Sequence, residues 1–134
     1  MPRYMLDTDI SSYIVKRSNQ PVLKRLQRIA IDQVCISVIT EAELLYGVEI
    51  SPRRQTDKVA VDAFLRHLAV LEFPAQAGVH YADIRADLKK RGLMIGANDL
   101  LIAAHARCLD LTLVTNNVDE FGRVRSLAIE NWAR

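Results

Sequence analysis

Cysteine is scarce in this 134-residue chain, and Cys35 and Cys108 stand apart inside apolar segments. That excludes a disulfide framework and a Cys-based zinc site, and both read as buried reduced thiols of a cytosolic protein. Long apolar runs are missing too. The longest, Leu100 to Ala104, is far too short to span a bilayer. Asp7 and Asp9 come close behind Leu6, so no signal peptide fits the N-terminus. With only five Gly and four Pro there is no linker, repeat or low-complexity tract, and residues 1–134 read as a single domain. An excess of one charge is absent as well: 18 basic against 16 acidic residues leave +2, too little to steer a partner by net charge.

Half of the residues are hydrophobic and a quarter charged, the balance of a globular domain that needs neither disulfide nor metal to fold. Among the basic residues thirteen are Arg, whose planar fork grips phosphate better than Lys does. Small basic groups occur at Lys24/Arg25/Arg28, Arg53/Arg54 and Lys89/Lys90/Arg91. Composition permits nucleic acid without demonstrating it.

Short apolar runs alternate with segments of helical period. Arg3 to Leu6, Val34 to Ser37, Val70 to Phe73, Leu111 to Val114 and Leu127 to Ile129 read as strands. Helices are expected over Ile10 to Lys16, Val22 to Ala30, from Ser37 to about Val48, 55 to 68, Ala77 to Gly92 and Ala97 to Leu109. The last of these is apolar nearly all round and so buried between layers. The alternation predicts an α/β fold, a mainly parallel sheet of about five strands with helices on both faces. In such sheets function gathers beyond the carboxyl ends of the strands.

Acids fall at those ends. Asp7 closes the first strand, and Asp9 follows; Glu41 and Glu43 lie in the helix after the second strand; Asp99 opens the buried helix; Asn117, Asp119 and Glu120 follow the strand ending at Thr115. Each has a plain structural explanation. Thr40 and Glu43 fit a capping box, Asp99 could answer a helix dipole, and Asn116-Asn117 could make a turn. An acid closing an apolar strand, as Asp7 does, is harder to explain away. Three carboxylates within about 5 Å would repel by roughly 3 kcal/mol per pair, about 10 in all. That rivals the stability of a small domain, so such a cluster must protonate, spread or bind a cation. Oxygen donors without Cys or His suit Mg²⁺ or Mn²⁺. Helical spacing alone does not choose between Glu41 and Glu43, which flank an apolar centre at Ala42, Leu45 and Tyr46, and it leaves the part of Asp9 open. His105 and Cys108, one turn apart, supply only two ligands and make a poor metal pair.

Met5-Leu6-Asp7-Thr8-Asp9, Ile39-Thr40-Glu41-Ala42-Glu43-Leu44-Leu45-Tyr46-Gly47, Ile95-Gly96-Ala97-Asn98-Asp99 and Val114-Thr115-Asn116-Asn117 together resemble the PIN-domain toxins of VapC type. The likeness runs nearly to Trp132. It implies a PIN-like fold and a Mg²⁺-dependent endoribonuclease, with Mn²⁺ able to substitute, that cuts tRNA or mRNA. It also implies neutralisation by a cognate VapB-type antitoxin, which covers the acidic crevice and brings an Arg among the carboxylates. A homodimer and a toxin–antitoxin hetero-oligomer in the cytoplasm belong to the same expectation. By the resemblance the helix glutamate is Glu43, and Asp7, Glu43 and Asp99 are the metal-holding acids. Asn117 is the fourth catalytic position; lacking charge, it is expected to orient water. Position 9 is more often Asn in the relatives, and Glu120 stands slightly beyond the fourth position. Thr8 and Thr115 are hydroxyls placed to support the acids. The helices Val22 to Ala30 and after Ser37 offer contact surfaces, with Leu44 expected to point away from the core.

Three other readings compete. A phospho-aspartyl enzyme would need a late Lys, and none follows Lys90. A metal- or RNA-binding module would not need all three acids. A nuclease of the same fold acting in RNA maturation or on DNA differs only in substrate.

Overall fold

The computed structural model describes all 134 residues. In chain order the elements are β1 (Tyr4–Leu6), α1 (Thr8–Lys16), α2 (Gln20–Gln27), β2 (Val34–Ser37), α3 (Val38–Glu49), α4 (Arg54–His67), β3 (Ala69–Leu71), α5 (Ala77–Arg91), α6 (Ala97–Cys108), β4 (Thr112–Val114), α7 (Val118–Phe121) and β5 (Ile129–Glu130). The strands form one sheet in the order β3-β2-β1-β4-β5, every neighbour parallel. Leu6 of β1 lies opposite Ile36 on one side and Val114 on the other.

Helices cover both faces, which is why the three central strands are apolar at nearly every position rather than at alternate ones. Side chains still alternate in direction. Met5, Cys35 and Leu113 pack with Ile84 and Leu88 of α5 and with Leu100 and Ile102 of α6. Tyr4, Leu6, Val34, Ile36 and Val114 pack against Ile10 of α1, Val22 of α2, Leu44 of α3 and Phe64 of α4. Burying one Leu or Ile side chain fully contributes roughly 1.5–3 kcal/mol, so these two layers fix β1 between its neighbours.

The α/β architecture and the parallel sheet follow the sequence-based expectation, with local differences. Strand β3 stops at Leu71, not Phe73, because its partner β2 ends at Ser37, opposite Leu71, where α3 begins. Strand β5 lies at Ile129–Glu130 because β4 pairs Leu113 and Val114 with those residues. Helix α2 ends at Gln27, short of Ala30, and a 3-10 turn over Ile31–Gln33 carries the chain into β2. The four-residue α7 was not foreseen. Cys35 is buried as expected, but Cys108 is only half-buried at the end of α6.

Leu44 is the main correction. It is buried in the α1–α4 layer, while Ala42, Leu45 and Tyr46, expected at the apolar centre, are exposed. Helix α3 is apolar on several sides, and its packing with α4 selects the Thr40, Leu44, Val48 stripe. The apolar side chains that this helix exposes are Leu45, Tyr46 and Ile50, not Leu44.

Candidate active site

The sheet order reverses between β1 and β4, and the crevice beyond their carboxyl ends is where such folds bind ligands. Asp7 follows β1 there. It is only 3% exposed, and its amide donates to the Val114 carbonyl at 3.0 Å. Its carboxylate caps α1, accepting from the Ile10 amide at 2.9 Å, with the Thr115 hydroxyl nearby. Burial pushes its pKa up to about 7; the Thr115 hydroxyl and the Ile10 amide oppose that rise, while the charges of Asp9 and Asp99 add to it.

Asp99 stands in the first turn of α6, half-buried. Burial first, then the charges of Glu120, Glu43 and Asp9, lift its pKa to about 6. Gly96 precedes it at the helix start, and a Cβ there would lie 3.3 Å from Asp99 Oδ2. Glu43 enters from α3 and accepts a hydrogen bond from the Thr8 hydroxyl at 2.6 Å; that hydroxyl also lies 3.2 Å from Thr40 Oγ1. The capping box is thus not formed. Ser37, at the strand–helix junction, caps α3 instead by accepting from the Ile39 amide at 3.0 Å, which leaves Glu43 free to face the crevice.

Asn117 caps α7. Its amide donates to Thr115 Oγ1 at 2.8 Å, and its side chain donates to the Glu120 carboxylate. Asp7, Thr8, Asp9, Glu43, Asp99, Asn117 and Glu120, with Phe121, line one cavity of about 290 Å³. Glu41 is not among them. The structure therefore gathers Asp9 and Glu120 beside the other acids, and Thr115 serves from behind through Asp7 and Asn117.

Five carboxylates and one carboxamide face this cavity with no Lys or Arg among its lining residues. A phospho-aspartyl site would need such a cation. The donors are all hard oxygens, which fits Mg²⁺ or Mn²⁺. The expected tight cluster is looser than supposed: no three acidic, His or Cys side chains are grouped closely enough to hold an ion on their own. Mg²⁺ keeps several waters and takes only one or two carboxylates from protein, so a looser group of oxygens still fits it.

Sequence spacing missed the pairing of Thr8 with Glu43 and the buried bond from His105 Nδ1 to Ser37 Oγ, 2.8 Å, which ties α6 to the start of α3. Hydroxyls at two helix heads, Thr8 at the first position of α1 and Ser37 just before α3, are the available signal. Ser37 engages His105 Nδ1, and burial holds the ring's pKa below the usual value.

An all-parallel sheet with a carboxylate-lined crevice at its reversal point defines an α/β nuclease-type domain. The chain belongs to the PIN-domain family, whose model matches residues 4–127, and within it to the VapC group. It is 43% identical to Ribonuclease VapC2 of Haemophilus influenzae over 98% of this chain and 99% of that one. It is 36% identical to the tRNA(fMet)-specific endonuclease VapC of Salmonella typhimurium, with 98% and 99% covered. Among solved structures, VapBC2 from Rickettsia felis bound to a promoter DNA fragment superimposes with a TM-score of 0.91 at 40% identity, covering 96% of this chain and 98% of that one. DNA-bound VapBC from Salmonella typhimurium gives 0.93 at 36% identity, covering 98% and 99%. No helix of the chain is long and apolar enough to cross a membrane.

Proposed function

We propose that this chain is the toxin of a toxin–antitoxin pair, a Mg²⁺-dependent endoribonuclease held inactive by a VapB-type protein in the cytoplasm. The observation that carries the reading is the five-carboxylate cavity at the β1/β4 reversal, in a chain 36–43% identical to VapC ribonucleases along its length. The name of the Salmonella typhimurium relative makes initiator tRNA the first substrate to test.

Asp7 and Asp99 are the acids best placed to hold the ion, with Glu43 beside them. A bound Mg²⁺ or Mn²⁺ supplies positive charge against nonbridging phosphate oxygens and acidifies a water. Asp7 is pre-set for this by the Ile10 amide, which holds its carboxylate before any ligand arrives. Glu43, held by Thr8, orients the attacking water, and in-line attack releases a 3′-hydroxyl and a 5′-phosphate. Asn117 holds the Glu120 carboxylate with one side-chain N–H and keeps the second N–H to orient water. Asp9 adds negative charge at the rim.

Purified chain mixed with initiator tRNA should cut it in Mg²⁺, stop in EDTA and resume on Mg²⁺ add-back. Intact RNA throughout, from folded protein, would overturn the reading. Thr8→Val keeps side-chain shape but removes the hydroxyl from Glu43. It should lower kcat about tenfold with little change in KM, and Thr8→Ser should restore the rate; steady-state kinetics on the same RNA decides this. A cavity rich in carboxylates and without its own cation also suits a partner that inserts an arginine, the expected action of the antitoxin. For the homodimer, the exposed Leu45, Tyr46 and Ile50 offer the apolar surface.

A further inference from the structure

The acidic cavity repels the polyanion it is proposed to cut, and the net charge of +2 does not compensate. RNA must therefore be held by cations placed beside the cavity. A second groove of about 330 Å³ lies between α2 and the segment after β5 and is lined by eight residues, among them Lys24, Arg25, Arg28, Asn131, Trp132 and Arg134. Four of the eight are cationic. Arg25 is anchored: it pairs with Glu130 at 3.3 Å and lies over the Trp132 ring at 5.3 Å. Glu130 also accepts from Trp132 Nε1 at 3.1 Å, so the one nearby carboxylate is engaged twice. Lys24, Arg28 and Arg134 are exposed and form none of the chain's salt bridges. Trp132 is itself buried against Tyr4 at 5.3 Å, which makes the floor of the groove rigid.

The groove and the cavity are joined by one contact. Asn131 of the groove donates to Asn116 at 3.2 Å, and Asn116 is the chain neighbour of Asn117 in the cavity wall. Asn116 in turn reaches Tyr13 Oη at 3.4 Å. A strand crossing from the acids past Asn116 and Asn131 would run onto the cations of the groove.

We propose that the Lys24–Arg28–Arg134 groove binds the phosphate backbone of the substrate RNA beside the cleaved bond. This deepens the ribonuclease reading and rests on it. Each Lys or Arg that neutralises a phosphate releases a counterion, so affinity falls with salt by about 0.7 log units per log unit of salt for each contact on a single strand.

The test compares wild type, Lys24→Gln/Arg28→Gln and a control, Lys58→Gln/Arg66→Gln on α4, which removes the same charge elsewhere. The probe is an initiator tRNA transcript, with KM measured across a salt series in Mg²⁺. The groove pair should raise KM about tenfold and flatten the salt slope by about 1.4, while the control matches wild type. Binding of fluorescein-labelled tRNA to an Asp7→Asn background should show the same loss without cleavage. Equal loss in the control would assign the effect to total charge and overturn the proposal. So would an unchanged KM and slope in the groove pair, including the case where that pair loses antitoxin affinity alone and the groove serves a protein. Failure of wild type to cut any RNA would instead strike at the ribonuclease reading.

Discussion

Asp7→Asn, freed of metal with EDTA at pH 8, should melt higher than wild type while losing at least a thousandfold in RNA cleavage. The two effects have one cause. Folding buries the Asp7 carboxyl and lifts its pKa from 3.8 to about 7, so at pH 8 the folded protein carries a charge that it would rather not hold. That gap corresponds to about 4 kcal/mol at most. Asn is neutral, keeps the side-chain oxygen that accepts from Ile10 and fits the same space. A gain of about 1–3 kcal/mol, roughly 5–10 °C in Tm, is expected at pH 8. At pH 5 the gain should shrink to less than half, and it should vanish only below about pH 3.8, where the unfolded chain is protonated as well as the folded one. Losing an ion-holding carboxylate removes several kcal/mol of transition-state stabilisation, hence the collapse in rate. A lower melting temperature for the variant at pH 8 would contradict the account of a strained acid.

Magnesium should stabilise the wild type, and more so at pH 8.5 than at pH 6.5. Asp7 and Asp99 have raised pKa values in the fold, about 7 and about 6, so the folded state binds more protons than the unfolded chain between about pH 4 and those values. The stability they contribute as protonated groups is full below 3.8 and is lost as pH rises through 6 and 7. His105 works in the opposite sense: burial keeps it neutral in the fold, and below its usual 6.5 the unfolded chain takes up the proton. The fall in Tm of EDTA-treated protein should therefore be sought between about pH 4 and pH 7, with His105 partly offsetting it below 6.5. Protons compete with the ion for the same oxygens, so Mg²⁺ gains leverage as they leave. A hundredfold excess over Kd would add about 2.7 kcal/mol at pH 8.5, roughly 10 °C. Thermal unfolding that ignores Mg²⁺, or responds equally at both pH values, would count against ion binding at these acids.

Much of this is legible along the chain because β1 is short and buried on both faces. An acid directly after Tyr4-Met5-Leu6 has little to do there except serve a site, and Asp99 at the head of an all-apolar helix reads in the same way. The parallel sheet follows from strands apolar at every position. Helix α3 is less readable. Its apolar residues point in several directions, and only packing against α4 decides that Leu44 turns inward and Leu45 outward. Spacing likewise gave no grounds to prefer Glu43 over Glu41. The preference came from family likeness, and in the fold it corresponds to a hydroxyl 35 residues away, that of Thr8. Pairings of that range, like Ser37 with His105, exist only once the layers are assembled.

Gly96 contributes no charge, hydrogen-bond donor or ligand through a side chain, yet its bareness sets where Asp99 stands. Even one methyl would crowd the carboxylate at 3.3 Å and act as a wedge at the cavity mouth. A side chain at this position would make the Asp99 carboxylate give way by a few tenths of an ångström, with every acid left untouched.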